Sequence, residues 1–151
     1  MTRKITSIEE FEALVGEHLG YSDYLVVSQE MINLFADATG DHQWIHVDPE
    51  RAATGPFGAP IAHGYLTLSL IPALIGQVFL FENLTFGVNY GCNKVRFAAP
   101  VPAGSELRLG IAVASVERIE GGAQVVLDAS LEIKDATKPS CVAQVVYRYY
   151  N

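Results

Sequence analysis

The side chains best suited to chemistry lie in the segment Gly40–Asp48, whose sequence is GDHQWIHVD. Asp41 and His46 stand five residues apart there, in a stretch that we predict to be irregular chain between two helices. A loop can turn both side chains toward one point, which a regular helix at that spacing would resist. A carboxylate with a pKa of about 4 and an imidazole with a pKa of about 6.5 can share the removal and return of a proton on one water molecule.

The residue types alone leave two other interpretations of this segment open. Asp41 could satisfy backbone donors in a turn while His46 is a half-buried, hydrogen-bonded side chain. The segment could also bind a metal, because His42 and His46 are four residues apart and Asp41 and Asp48 flank them. A metal site would require residues 42–46 to be helical, although a separate helix is predicted to start just afterwards.

A second candidate feature is the tripeptide Ala62-His63-Gly64 at the start of a long apolar stretch. The first N–H groups of a buried helix have no intrahelical partners and lie at the positive end of the helix dipole, so they can hold a developing oxyanion. Gly64 would let a ligand approach these groups, or it could only pack closely or help the chain turn. His63 is expected to be a core or supporting histidine and not a catalytic group.

The first half of the chain predicts three helices that could position these residues, each begun by a capping residue. They run from the Ser7–Glu10 capping box to Leu19, from Ser28 to Gly40, and from Asp48-Pro49 to Ala53. A loop rich in glycine and proline follows.

The stretch from Ala52 to Phe81 contains no Asp, Glu, Lys or Arg. Its most apolar part, Tyr65–Phe81, has 17 residues, which is the lower limit for a membrane span, and it includes Pro72 and Gln77. No Lys or Arg closely flanks it, so we predict a helix buried in a soluble core and no membrane span.

The second half alternates apolar and polar residues with a period of two, which predicts strands with one buried face. Four long strands are expected, one over 88–97 and three around Leu107–Val113, Val125–Ile133 and Cys141–Tyr149, with a hairpin at Gly121-Gly122. We predict a single α+β domain over residues 1–151, with an antiparallel sheet wrapped around one long buried helix, the hotdog arrangement. An exposed sheet edge would favour a homodimer or a higher homo-oligomer.

Composition narrows the class of partner and the compartment. Seventeen acidic residues against ten basic ones give a net charge of −7, and the absence of a basic block argues against nucleic acid. The amino terminus has no signal-peptide pattern, so a cytoplasmic location is expected. Cys92 and Cys141 are 49 positions apart in no paired motif, which predicts two free thiols.

The run FADATGDHQWIHVDPERA, Phe35–Ala52, resembles the signature of the MaoC-like (R)-specific enoyl-CoA hydratases. In that signature G-D-x-N-P-[ILV]-H is followed, after five residues, by a small residue. Gly40, Asp41, Ile45, His46 and Ala52 fit this pattern. The runs Pro60–Gly64 and Asn89–Phe97 also resemble that family, so the likeness extends over nearly the whole chain. Gln43 and Trp44 stand where the family has Asn and Pro.

This resemblance implies that Asp41 and His46 activate a water that adds to a trans-2-enoyl thioester, giving an (R)-3-hydroxyacyl thioester, while the Gly64 N–H polarises the thioester carbonyl. It implies an acyl-CoA substrate and no metal or organic cofactor. Gln43 and Trp44 are expected to change the loop and to narrow the substrate pocket. Lys94 and Arg96 face one side of a strand and could meet coenzyme A phosphates, or they could be a solvated face with cross-strand pairing.

Two further functions are compatible with the same sequence. A hotdog acyl-CoA thioesterase would use a similar oxyanion site but would direct the water to the carbonyl carbon. A non-catalytic acyl-thioester-binding subunit would keep the pocket without the reaction.

Overall fold

The chain forms six helices and eight strands in a computed structural model that describes residues 1–151. In chain order they are β1 (Arg3–Ile5), α1 (Ile8–Glu12), β2 (His18–Tyr21), β3 (Leu25–Val27), α2 (Gln29–Thr39), α3 (Trp44–Val47), α4 (Pro49–Ala53), α5 (Gly64–Ser69), α6 (Ile71–Val78), β4 (Phe79–Phe81), β5 (Phe86–Phe97), β6 (Ser105–Ile119), β7 (Gly122–Ile133) and β8 (Cys141–Tyr150).

The four predicted long strands, β5 to β8, form most of one antiparallel sheet with the order β2-β6-β7-β8-β5, and β3 also pairs with β6. Strands β6 and β7 form the predicted hairpin, in which Gly121 takes the left-handed backbone that a tight turn needs, with φ of 79°. Strand β5 pairs with β8 and lies at the end of the sheet. The sheet therefore has one long strand whose outer edge is unpaired.

Helices α5 and α6 pack against the sheet. Their buried residues Leu66, Ile71 and Leu74 belong to the same core cluster as the alternating buried residues of β6, β7 and β8. Each element thus covers the apolar face that the other could not bury alone, and the predicted hotdog arrangement is confirmed.

The central helix differs in detail from the expected continuous helix. It passes through a turn at Leu70, whose N–H donates to the Thr67 carbonyl at 3.2 Å, and α6 then ends at Val78, where strand β4 begins. Pro72 explains the break, because it has no N–H and its ring crowds the carbonyl four residues earlier. One face stays open, since Tyr65 is 72% exposed. No helix in this structure is long and apolar enough to cross a membrane.

The opening helix is shorter than the sequence predicts. Ser7 caps α1 as expected, but the helix ends at Glu12, and the prediction that it extends to Leu19 is wrong. Backbone bonds from Gly16 N to Val113 O at 2.8 Å and from Val113 N to Glu17 O at 3.0 Å join this segment to β6. Sheet pairing replaces the helical pattern there.

Candidate active site

Asp41 is positioned by the end of α2. Ser28 caps this helix by accepting a bond from the Met31 N–H, and Gly40 ends it in the left-handed conformation with φ of 84°, both as predicted. Asp41 is the next residue, and its carboxylate is about half exposed. Its Oδ1 accepts a long bond of 3.4 Å from the Gln43 N–H. The carboxylate is therefore held near the protein but remains open to solvent.

His46 lies on α3, a helical turn in a segment that the sequence interpretation treats as irregular chain. The residue is buried, and its backbone carbonyl accepts a 2.8 Å bond from Gln29 Nε2 of α2. His46 Nδ1 lies 2.7 Å from the Ile61 carbonyl oxygen. Because a carbonyl oxygen can only accept, Nδ1 carries the proton, and in the neutral ring Nε2 keeps a lone pair that can act as a base.

His63 is a third member of this cluster. It is 3% exposed, its Nε2 donates to the Asp41 carbonyl oxygen at 2.9 Å, and its ring stacks on the His46 ring with centroids 3.9 Å apart. Sequence reasoning placed His63 only as a core or supporting residue and did not predict either contact. The signal available was its place next to Gly64 in the second run that resembles the family.

The structure brings the side chains of Asp41, His46 and His63 together. Each offers a polar atom, and the three atoms lie within 4.8 Å of one another. A water molecule that bonds two groups at about 2.8 Å, with a roughly tetrahedral angle, holds those groups about 4.6 Å apart. The 4.8 Å limit on these distances is compatible with one water shared by a carboxylate and an imidazole.

Imidazole nitrogen and carboxylate oxygen are also ligand types for a divalent cation, so these three residues are the group that could hold a metal. His42 lies outside this group. Its Nε2 is 2.8 Å from Asp37 Oδ1 on the surface, and this hydrogen bond raises the pKa of His42. The His42–His46 metal pair considered from the sequence is not assembled.

Gly64 begins α5 next to this cluster. The first intrahelical bond of α5 runs from the Thr67 N–H to the His63 carbonyl, so the N–H groups of residues 64–66 have no partner within the helix. No side chain caps the helix. A Cβ atom built on Gly64 would lie 2.9 Å from the Phe97 ring, so a side chain at this position has no free space.

An apolar cavity of about 290 Å³ opens beside Gly64. Its lining comes from the loop before α5, from α5, from the end of β5 with the segment after it, and from the residue before β8: Phe57, Ile61, Ala62, Gly64, Thr67, Phe97, Ala98, Ala99, Pro100, Val101 and Ser140. Ile61 connects the cavity with the cluster of Asp41, His46 and His63, because its carbonyl oxygen is hydrogen-bonded to His46. Ser140 is buried at the cavity wall, and its hydroxyl oxygen has no hydrogen-bond partner.

Two of the predicted substrate-contacting residues have mainly structural contacts. Gln43 is exposed, and its carbonyl accepts the first amide bonds of α3. Trp44 is half-buried, and the Arg51 guanidinium carbon lies 4.3 Å from the centroid of its ring. The indole also packs closely on Gly55, where a Cβ atom would lie 2.8 Å from it. Neither residue lines the cavity beside Gly64.

The basic residues proposed for phosphate contact lie on β5. Lys94 and Arg96 alternate with Val95 and Phe97, so they face the opposite side of the strand from the ring that lies over Gly64. Lys94 instead borders a surface hollow with Gln144. Within this chain they are not brought together with the cluster of Asp41, His46 and His63.

Sequence comparisons relate the whole chain to known proteins. The pattern of the MaoC-like domain matches residues 10–134. The 3-hydroxyacyl-thioester dehydratase Z of Mycobacterium tuberculosis is 49% identical over 148 residues, which cover 97% of this chain and 98% of that protein. Nodulation protein N of Rhizobium meliloti is 43% identical over 141 residues, covering 91% of this chain and 87% of that protein.

A comparison of folds agrees with the sequence comparison. The solved structure of an R-hydratase from Pseudomonas aeruginosa, in its unliganded form, superimposes with a TM-score of 0.73 and 26% identity. The match covers 91% of this chain and 82% of that one.

Proposed function

This chain belongs to the MaoC-like domain family, and on that premise we propose that it adds water to trans-2-enoyl-CoA thioesters to form (R)-3-hydroxyacyl-CoA thioesters. The chain is a hydro-lyase, that is, a hydratase or dehydratase, like the mycobacterial relative named above. The proposal adds that the hydroxyacyl product has the (R) configuration and that the acyl group is carried by coenzyme A. The observation that carries it is the convergence of Asp41 and His46, which each have a polar atom within 4.8 Å of the other.

In the hydration direction, His46 Nε2 removes a proton from the water while the Asp41 carboxylate accepts the other hydrogen bond. The water oxygen forms a bond to C3, and the electrons of the C2=C3 double bond move toward the thioester to form an enolate. The same pair returns the proton to C2. One water is added in total, and both side chains end in their starting states.

The Gly64 N–H is the proposed donor to the enolate oxygen. Negative charge develops on that oxygen only as C3 is attacked, so a fixed donor there stabilises the transition state more than the ground state. His63 places the Gly64 peptide beside the cluster, because it precedes Gly64 and contacts both Asp41 and His46.

The apolar cavity beside Gly64 is the proposed site of the acyl chain. Its volume of about 290 Å³ is at the lower end of the range for small-molecule sites, roughly 300–1,000 Å³. We therefore expect short and medium acyl chains to be favoured. A series from crotonyl-CoA to longer 2-enoyl-CoA thioesters should show kcat/KM rising and then falling as the chain outgrows the cavity.

The decisive experiment incubates the protein with crotonyl-CoA and follows loss of the enoyl absorbance, release of free thiol and the configuration of the product by chiral chromatography. Loss of absorbance with an (R) product and no thiol release is expected. Release of thiol without hydration would favour the thioesterase. Neither signal over several chain lengths would favour the binding subunit.

Matched variants test whether activity comes from this cluster. His46→Gln and Asp41→Asn should each remove most of the hydratase activity. His42→Gln and Asp37→Asn make the same chemical changes in the exposed pair nearby, and they should leave activity near that of the unchanged protein.

We also propose that the protein is a homodimer or a higher homo-oligomer. Strand β5 has 12 residues and an unpaired edge, and large apolar side chains along it, Phe86, Val88, Tyr90 and Phe97, are each more than 40% exposed. A long apolar edge of this kind is normally covered by another chain. Packing a second copy against β5 and the open face of α5 would bury these groups.

A further inference from the structure

The buried imidazole of His63 has no chemical step in the proposed reaction, yet it contacts both residues that do. We propose that His63 is a positioning residue that fixes Asp41 relative to His46, an inference that rests on the proposed function. It uses two different parts of one side chain. An N–H group holds the backbone of Asp41, and the ring face holds the ring of His46.

The N–H contact matters because Asp41 has little else to hold it. Its carboxylate is about half exposed, accepts a long 3.4 Å bond from the Gln43 N–H and lies 4.0 Å from His63 Nε2. The bond from His63 Nε2 to the Asp41 carbonyl oxygen is 2.9 Å and joins residues 22 positions apart. It is therefore the tertiary contact that ties this exposed residue to the start of α5.

The ring contact completes the orientation of His46. The bond from Nδ1 to the Ile61 carbonyl fixes one edge of the His46 ring but still allows rotation about that bond. The His63 ring stacks on His46 with a tilt of 24°, and Phe35 packs on His63 with centroids 4.8 Å apart. This packing sets the plane in which His46 Nε2 presents its lone pair.

His63 has no nitrogen available for substrate. Nε2 carries the proton that it donates to the Asp41 carbonyl, because that oxygen can only accept. Nδ1 is then the nitrogen with the lone pair, and it is enclosed and has no hydrogen-bond partner. A base needs an accessible lone pair, so the geometry assigns His63 to positioning and not to proton transfer.

Two amide variants separate these roles, because their side-chain NH₂ groups extend to different distances from the backbone. In His63→Gln the side-chain NH₂ can occupy the place of Nε2, whereas in His63→Asn it reaches only to the place of Nδ1. We expect His63→Gln, which keeps the N–H contact but lacks the ring, to lose less kcat than His63→Asn, which lacks both. His63→Asn should lose tenfold or more in kcat with little change in KM, because displacements of about 1 Å in a catalytic group can cost as much as 10²-fold.

The two variants are matched in polarity, and thermal melting shows whether both fold. Equal kcat values for the two, near that of the unchanged protein, would overturn the proposal. Equal losses greater than 10²-fold in folded proteins would also overturn it, because the contact between the side-chain N–H and the Asp41 carbonyl would then make no difference to kcat. A loss confined to KM would assign His63 to substrate binding and would contradict positioning.

A spectroscopic measurement keeps this inference separate from the proposed function. Long-range ¹H–¹⁵N NMR of the unchanged protein reports which ring nitrogen of His63 carries the proton. We expect the Nε2–H form, and the Nδ1–H form would overturn the contact with Asp41. If the protein hydrates no enoyl thioester, the proposed function fails, whereas this tautomer measurement still tests the contact.

Discussion

Replacing Gly64 by alanine tests whether the catalytic site needs open space in front of its backbone amide. The new Cβ would lie 2.9 Å from two carbons of the Phe97 ring, which must retreat by about 0.5 Å to reach the ordinary contact distance of 3.4 Å. Such overpacking costs typically about 1–3 kcal/mol of stability. The overlap is confined to one ring, so we expect a loss within this range and a folded protein.

The effect on activity should be larger than the effect on folding. The displaced ring and the added methyl both occupy the cavity next to the Gly64 N–H, where the thioester oxygen is proposed to bind. Losing one oxyanion donor costs on the order of 10²-fold in kcat, or about 2.7 kcal/mol of transition-state stabilisation. Gly64→Ala should therefore lose about 10²-fold in the crotonyl-CoA hydration assay.

Two controls separate the effect of steric strain on the fold from the effect of blocked access to the Gly64 N–H. In Gly110→Ala the new Cβ would lie 2.8 Å from the half-exposed ring of Tyr21, a similar overlap remote from the site. This variant should lose comparable stability and keep its activity. In the double variant of Gly64→Ala with Phe97→Ala, the ring atoms that overlap the new Cβ are removed. Adding Gly64→Ala should then cost no further stability, while activity stays low relative to Phe97→Ala alone. Recovery of that activity would refute the role given to Gly64.

Three other predictions concern the acid–base pair, the assembly and the exposed histidine. Asp41→Asn and His46→Ala should each lower kcat by at least about 10²-fold, with the double variant little worse than either; near-normal turnover in folded Asp41→Asn would remove it from the mechanism. Sedimentation should give at least twice the monomer mass, and Tyr90→Lys on the β5 edge should reduce it; an active monomer at working dilution would contradict this. The raised pKa of His42 means that its pairing with Asp37 stabilises the fold fully below about pH 6.5 and is lost as the pH rises through the raised value. An NMR titration of Asp37→Asn should show a lower His42 pKa with unchanged activity, and an unshifted pKa would rule out the pair.

The sequence alone determined the features that depend on local patterns. The alternation of apolar residues predicts the long strands, and the Ser28 cap with the terminal Gly40 predicts α2, because these signals act between residues close in the chain. Spacing and residue type also identified Asp41 and His46 as a pair for water chemistry. The family resemblance added the reaction, and it favoured the oxyanion role of Gly64 over a role in packing alone.

Tertiary structure decided the contacts between residues far apart in sequence. The sequence predicts that the opening helix continues beyond Glu12, but the residues there pair with β6. No local pattern predicts that a distant strand competes with the helix for these residues. The bond from His63 to the Asp41 carbonyl and the bond from His46 to the Ile61 carbonyl join segments 22 and 15 residues apart. Residue types do not encode which backbone carbonyl a buried imidazole meets. That choice follows from packing the start of α5 against the loop after α2, which sets the tautomers of both histidines.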